Sequence, residues 1–418
     1  MNGYASSFRE YLDNSRLLQF GFAFNLVSLS SVILAFTILW ITGNLETTAY
    51  AMDFQVFYEA GRAFLISPDS IYTVNPNGLP FRYFPIFAGA MSLFTVLPLY
   101  PLYLANIIAM TIFHLGTVYL IYRICLQLDV TTSTKNFEKT LTIVAITPPH
   151  VVNLILGQTS QFVILLLLIA LLLLLSTSNE SWKPFVWIGL IIGIASTLKP
   201  FCLVFMPFLI PFTLGGRLRL TVPIRRLGGV FVGLLLSMMP NLIYFAFYPT
   251  TLNEFLNVNF VEGLSFHHST SITRLVSALI PLADPNMVEF SIMLVLGGFI
   301  FLRSFLRFVR SPEEAKDYLH HFADMMFLVL LVYPDSWFLF LAFLYAFLGP
   351  SMLNLYASDL LPENNIRYVD ILWHGANNLL AFFPLGIALH YLVLGFDPIN
   401  PIWIAILYLL YHRGTKAS

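Results

Sequence analysis

Apolar runs of about 16 to 26 residues recur along the whole chain, each long enough to cross a hydrocarbon core of about 30 Å as a helix. They fall near 17–43, 84–99, 101–123, 139–155, 159–177, 184–214, 227–248, 286–304, 321–334, 336–354, 371–394 and 398–412. The pattern predicts an all-α polytopic membrane protein with about twelve transmembrane helices. Residues 1–418 are read as one integral membrane domain with no separate soluble part. Lys199-Pro200 interrupts the run 184–214, which is read as one kinked passage. Two polar segments stand out, 44–83 and 248–271. In the first, Phe54, Phe57, Gly61, Phe64 and Leu65 recur at helical spacing while Gln55, Glu59 and Arg62 take the other face, the pattern of an amphipathic interfacial helix. The stretch SPDSIYTVNPNGLPFRYFP that follows reads as a turn-rich folded loop, and 271–283 suits a re-entrant helix.

Basic residues set the orientation, because loops rich in them stay in the cytoplasm. Arg217, Arg219, Arg225 and Arg226 crowd one loop, Arg303, Arg307, Arg310 and Lys316 a second, and Arg413 and Lys416 the C-terminus. With Arg9 and Arg16 also inside, both termini are expected in the cytoplasm and both polar segments on the extracytoplasmic face. The first apolar run is too long for a signal-peptide core and lacks a small-residue cleavage site. Composition agrees: 58% of residues are hydrophobic, 10% are charged and the mean hydropathy is +0.79. A net charge of -1 leaves no basic face for nucleic acid. Cys125 and Cys202 sit in apolar surroundings with neither metal-ligand spacing nor an evident disulfide pairing. No period of 20 to 50 residues suggests a solenoid or an inverted-repeat carrier.

The candidate chemistry lies in polar residues that the apolar pattern does not explain. Asp53 opens the interfacial helix directly after the first span; it suits either a helix cap or a functional carboxylate. Tyr58, Arg82 and Tyr83 in the same loop offer stacking faces and a phosphate-competent guanidinium, or interfacial anchors. Lys199 precedes Pro200, where a broken helix frees room for a buried anion; snorkelling or pairing with a carboxylate is the alternative. Glu289, Asp324 and Asp335 are further charges in or beside apolar runs, Asp324 reading as interfacial and His114 as a core histidine. Gln158 and Gln161 in GQTSQ suit sugar binding or amide capping, and His267, His268 and Arg274 in FHHSTSITRL suit phosphate binding or a solvated loop. The chain has no DxD pair, P-loop, HExxH or GxSxG, so the chemistry is expected to need neither metal nor cofactor.

Taken in order, Asp53 with FxxFYxAGRxFL, then RYFPIF, GQTSQF, STLKPF, HHSTSITRL and YPDSW resemble the signatures of glycosyltransferase family 87 from about Asp53 to Trp337. The resemblance implies a GT-C fold and an inverting transfer of a hexose, usually mannose, from a polyprenyl-phosphate sugar to a lipid or glycan acceptor on the extracytoplasmic face. It implies Asp53 as general base. Lys199, Arg82, Arg274 and His267 become the donor-phosphate candidates, and Tyr58, Glu59, Arg62, Tyr83, Gln158, Gln161, His268 and Asp335 the substrate contacts. Relatives commonly carry histidines shortly after the serine-tryptophan pair, where this chain has Phe338 and Phe340. The alternatives are a transporter or flippase for a lipid-linked sugar, and an inactive partner in a membrane assembly.

Overall fold

A computed structural model describes residues 2–128, 134–177, 181–210, 213–215, 219–221, 223–261, 268–280, 284–310, 315–357, 370–371, 374–375, 378 and 382–415. The fold is a helical bundle. Five helical stretches are long and apolar enough to cross a membrane: Arg16–Ile41 (α2), Leu99–Gln127 (α5), Asn136–Leu156, Ile224–Phe247 (α10) and Pro285–Arg310. The third is broken into α6 (Thr134–Ala145) and α7 (Pro148–Leu156), where Pro148 removes a backbone donor. The fifth comprises α13 (Pro285–Ile292), a π turn at Met293–Gly297 and α14 (Gly298–Arg310). Shorter helices complete the bundle: α8 (Ser160–Ser176), α9 (Lys183–Leu198), α15 (Ala315–Val332), α16 (Leu341–Ala357), α17 (Phe382–Leu394) and α18 (Ile399–Thr415). An N-terminal helix, α1 (Asn2–Asn14), precedes them. The one strand pairing among the described residues is antiparallel, Thr213–Gly215 with Arg219–Thr221.

The loop after α2 forms a helical hairpin. The amphipathic helix expected there is α3 (Met52–Ile66), but the run 84–99 does not cross. It yields only α4 (Pro85–Ser92), which spans about 12 Å, followed by turns to residue 97. Contact with α3 accounts for this: a Cβ at Gly61 would sit 3.0 Å from the Met91 backbone, and one at Gly89 would sit 3.0 Å from the Phe64 ring. The hairpin lies across the bundle end, with α11 (Pro249–Leu256) and α12 (Ile272–Leu279) at the same end.

The second correction concerns 184–214. Phe185 lies beside Gly229, Gly189 beside Val230 and Gly193 beside Ser237, so α9 and α10 run in the same direction. The chain must therefore return between them. Pro200–Leu209, a 3-10 segment, makes that return: Phe201 meets Phe340, Phe205 stacks on Phe322, and Phe208 packs on His321, antiparallel to α15. Arg226, over the Phe185 ring at 5.1 Å, thus shares a bundle end with the Gln127–Ser176 contact and the Phe8–Tyr122 pair of α1 and α5. Arg217 and Lys416 of the basic clusters lie outside the described residues.

Two glycine pairs four residues apart, Gly189/Gly193 and Gly229/Gly233, make the α9–α10 seam. Small residues at this spacing let two apolar helices meet backbone to backbone and gain dispersion contact that lipid cannot match. A Cβ at Gly189 would overlap the carbonyl oxygen of Val230, and one at Gly233 that of Val186. Gly228, with nothing within 4 Å, is the internal control. Gly189→Leu should cost about 1–3 kcal/mol through overpacking, read as a lower Tm of the detergent-solubilised protein, while Gly228→Leu does not lower Tm. Equal Tm values for the two variants would contradict this seam.

Candidate active site

Three backbone devices bring one carboxylate, one amide and one ammonium together at the hairpin end. Ala51 takes a left-handed conformation at φ 60 and donates its N–H to Ile155 O at 2.8 Å, which fixes where α3 starts. Ala51, not Asp53, occupies the cap position, and no side chain caps the helix. The Asp53 side chain is therefore free to point inward. Gly157 closes α7 at φ 75, where a Cβ would sit 2.5 Å from that of Phe54, so glycine permits the approach of α3 to the α7–α8 turn. Tyr103 secures that turn by donating to Leu154 O and Ile155 O, and Asn106 donates to Gly157 O. Pro200 ends α9 and holds Lys199 extended, at φ -143.

The resulting chain of contacts is continuous. Gln158 Nε2 donates to Asp53 Oδ2 at 2.6 Å; Lys199 Nζ donates to Gln158 Oε1 at 3.0 Å and to Tyr83 OH at 3.3 Å. Lys199 also lies 5.2 Å from the Tyr83 ring centroid and 5.3 Å from that of Phe340, within cation–π range. Asp53, on a helix outside the spanning segments, has its carboxyl pushed up to about 6 by burial, against the lowering effects of the Gln158 hydrogen bond and the Lys199 charge. Burial likewise pushes the Tyr83 phenol up, keeping it protonated.

These groups line a cavity of about 400 Å³ with Arg82, Asp335, Asn259, Tyr333 and Trp337. Arg82 pairs with Asp335, which also accepts from Arg274 Nη2 at 3.0 Å; Arg274 Nη1 reaches Glu289 at 2.9 Å. The serine–threonine run before Arg274 pins the Asp335 turn: Ser269 donates to Pro334 O at 2.6 Å and Thr273 to Val332 O at 2.6 Å, while the Thr270 N–H donates to Ser336 O. Pro200, Phe201 and Tyr333 are shared with an apolar groove of about 450 Å³ between the 3-10 return, the α13–α14 turn and α15.

Several other candidates are placed elsewhere. Tyr58 donates to Leu97 O, and Glu59 pairs with Arg62 on the exposed face of α3; none of the three lines the cavity. Gln161 lies on α8 and contacts the buried His114 at 3.2 Å, away from Asp53. His268 is tied to Asp397 at 2.7 Å, packs against Phe338 and does not line the cavity. Burial alone would raise the Asp397 carboxyl; the hydrogen bonds from His268 and Asn400 hold it below the usual range. His267 lies outside the described residues. Asn259, Tyr333, Trp337 and Phe340 were not anticipated as cavity residues. Tyr333 and Trp337 carried a signal, flanking Asp335 in YPDSW.

A profile of Glycosyltransferase family 87 matches residues 81–334, well over half of the chain. The chain belongs to that family. It is a membrane glycosyltransferase, and its family region contributes Arg82, Tyr83, Gln158 and Lys199 to the cavity. Asp53 and Asp335 fall outside the matched region; Asp53 joins it through its hydrogen bond to Gln158, and Asp335 through its pair with Arg82. No curated protein matches the chain. Among the described residues of this glycosyltransferase, no three His, Cys, Asp or Glu side chains are grouped as ligands for a metal ion.

Burial of Asp53 has a measurable effect on folding. Its carboxyl is protonated in the folded state up to about pH 6 but ionises near 3.8 when exposed, so its contribution to stability falls as pH rises between those values. Asp53→Asn should therefore stabilise the protein above pH 6, by up to ~3 kcal/mol, with the gain fading toward pH 4. Tm measured across that range checks it; no gain at any pH would show that the folded site already compensates the charge.

Proposed function

We propose that this glycosyltransferase moves a hexose, mannose in the first instance, from a polyprenyl-phosphate donor to a hydroxyl of a lipid or glycan acceptor, with inversion, on the extracytoplasmic face. The observation that carries the reading is a cavity holding a carboxylate and an ammonium that shares Pro200, Phe201 and Tyr333 with an adjoining apolar groove. A donor with a charged phosphate head and a long hydrocarbon chain fits both parts.

In this reading Asp53 is the general base. Gln158 occupies its Oδ2 and leaves the other oxygen for an acceptor hydroxyl. The hydroxyl oxygen attacks the anomeric carbon, its proton passes to Asp53, the bond from that carbon to the phosphate oxygen breaks, and the electron pair leaves on the phosphate. Lys199 neutralises the charge that develops there. Its hydrogen-bond partners Gln158 and Tyr83 are neutral, whereas Arg82 and Arg274 are paired with carboxylates. Lys199 is thus the cavity cation best placed to meet a phosphate, with Arg82 behind it.

Membranes supplied with polyprenyl-phosphate mannose test this. Asp53→Asn should lower transfer by about 10² to 10⁴ with the protein still folded. Wild-type transfer should fall away below about pH 6 as Asp53 gains its proton. Lys199→Ala should raise KM for the donor more than for the acceptor. Undiminished transfer by Asp53→Asn would overturn the base assignment, and an unchanged donor KM in Lys199→Ala would overturn the phosphate role.

A further inference from the structure

Glu289 is a buried carboxylate that the transfer step does not use, on a helix whose Met287 and Phe290 are exposed. A charge in an apolar span is costly and needs a reason. Its Oε1 accepts from Arg274 Nη1, the Nη2 of the same guanidinium binds Asp335 Oδ1, and the other oxygen of Asp335 takes Arg82. The four groups alternate in sign and cancel. Asp335 and Arg82 line the cavity that holds Asp53, whereas Glu289 stands behind them and does not.

The cavity as a whole follows the same rule. Among the described residues its charged lining is Asp53 and Asp335 against Lys199 and Arg82, two negative groups and two positive, and the Arg274–Glu289 pair behind them adds nothing to the sum. Guanidiniums suit phosphate well, yet both of those here are held by carboxylates. The proposed transfer changes the charge on the phosphate. The donor is a phosphodiester with one negative charge. When the bond from the anomeric carbon breaks, the electron pair stays on the phosphate and the acceptor proton goes to Asp53. The polyprenyl phosphate left behind is a monoester of charge about -2 at pH 7.5, since its second ionisation lies near 6. Once Asp53 has released its proton to water, a site of zero net charge holds a dianion. The second negative charge there loses hydration and gains no partner. A net positive site would instead hold the product more tightly than the donor.

We propose that Asp335 and Glu289 determine which phosphate the site retains. By cancelling Arg82 and Arg274 they make it bind the singly charged phosphodiester more tightly than the doubly charged monoester, so that polyprenyl phosphate leaves after transfer. Glu289 acts through Arg274 and Asp335. The proposal rests on the reading of the cavity as the transfer site.

The test uses the full-length protein in detergent and two probes that carry no sugar: farnesyl phosphate, a monoester, and methyl farnesyl phosphate, a diester. At pH 7.5 the wild type should bind the diester more tightly. Glu289→Gln keeps an oxygen for Arg274 and removes one negative charge. Two ion pairs away from the phosphate and partly screened, that charge is worth roughly tenfold in affinity for a dianion and roughly threefold for a monoanion. The variant should therefore bind the monoester about tenfold and the diester about threefold more tightly than the wild type. The sign is diagnostic, because a merely structural role for Glu289 would weaken both probes. A wild type that prefers the monoester would overturn the proposal whether or not the variant folds, and so would a folded Glu289→Gln variant with no gain for the monoester. Transfer from polyprenyl-phosphate mannose, assayed on the same preparation, separates this proposal from the function it rests on. The expected probe affinities without any transfer would sink that function and leave the charge selection standing; transfer with the wild-type preference reversed would sink the charge selection alone.

Discussion

Asp53 and Lys199 are withdrawn from water to 6% and 7% exposure, and a single amide, that of Gln158, joins them in place of a direct ion pair. Burying two charges is tolerable only when hydrogen bonds replace the lost hydration. One amide does this with both ends, its N–H to the carboxylate and its oxygen to the ammonium. The constraint reaches far into the chain, because the three residues come from the start of α3, the α7–α8 turn and the end of α9. A left-handed Ala51, a left-handed Gly157 and a proline at 200 are what let these three ends converge. A change at any of them displaces a charge from its partner, not merely a loop.

Helix direction carries the same constraint through the bundle. Lys199 reaches the hairpin end because α9 runs toward it, and α9 is held in that direction by its glycine seam with the parallel α10. The return through 200–209 then places Phe201 and Tyr333 at the junction of cavity and groove. Close helix packing, a matter of stability, thereby fixes where the polar and apolar parts of the site meet.

Much of the site was legible because polar residues inside apolar sequence are expensive and need a reason. Asp53, Arg82, Tyr83, Gln158, Lys199 and Asp335 stand out on that ground and line one cavity. What sequence could not supply was direction and face. The stretch 84–99 has the length and hydropathy of a span, and nothing in either reveals that Gly61 and Gly89 let α4 lie against α3. The run 200–209 reads the same whether it continues outward or turns back. Gln161 shares a motif with Gln158, yet Gln158 precedes the helix and Gln161 belongs to it, which sends their amides to different neighbours. The paired glycines of α9 and α10 were readable as a four-residue spacing that marks a close helix seam, but the spacing alone does not say whether the two helices run parallel.

The amide between the charges also bears on the chemistry. A direct Asp53–Lys199 salt bridge would favour the ionised carboxylate strongly and make it a weaker base. Full burial without a partner would leave it protonated and inert at neutral pH. Gln158 gives an intermediate outcome, with burial raising the carboxyl and one hydrogen bond plus a charge at one remove restraining it near 6. Proton transfer is most effective when the base titrates close to the working pH, since occupancy of the ionised form and basicity are then both appreciable. The same spacing keeps Lys199 from being neutralised by Asp53, so its charge stays available to a phosphate, while Asp335 holds the nearby guanidiniums of Arg82 and Arg274 in pairs. In the proposed reaction the cavity thus keeps the carboxylate that would take the proton and the ammonium that would meet the phosphate apart by one neutral side chain, Gln158.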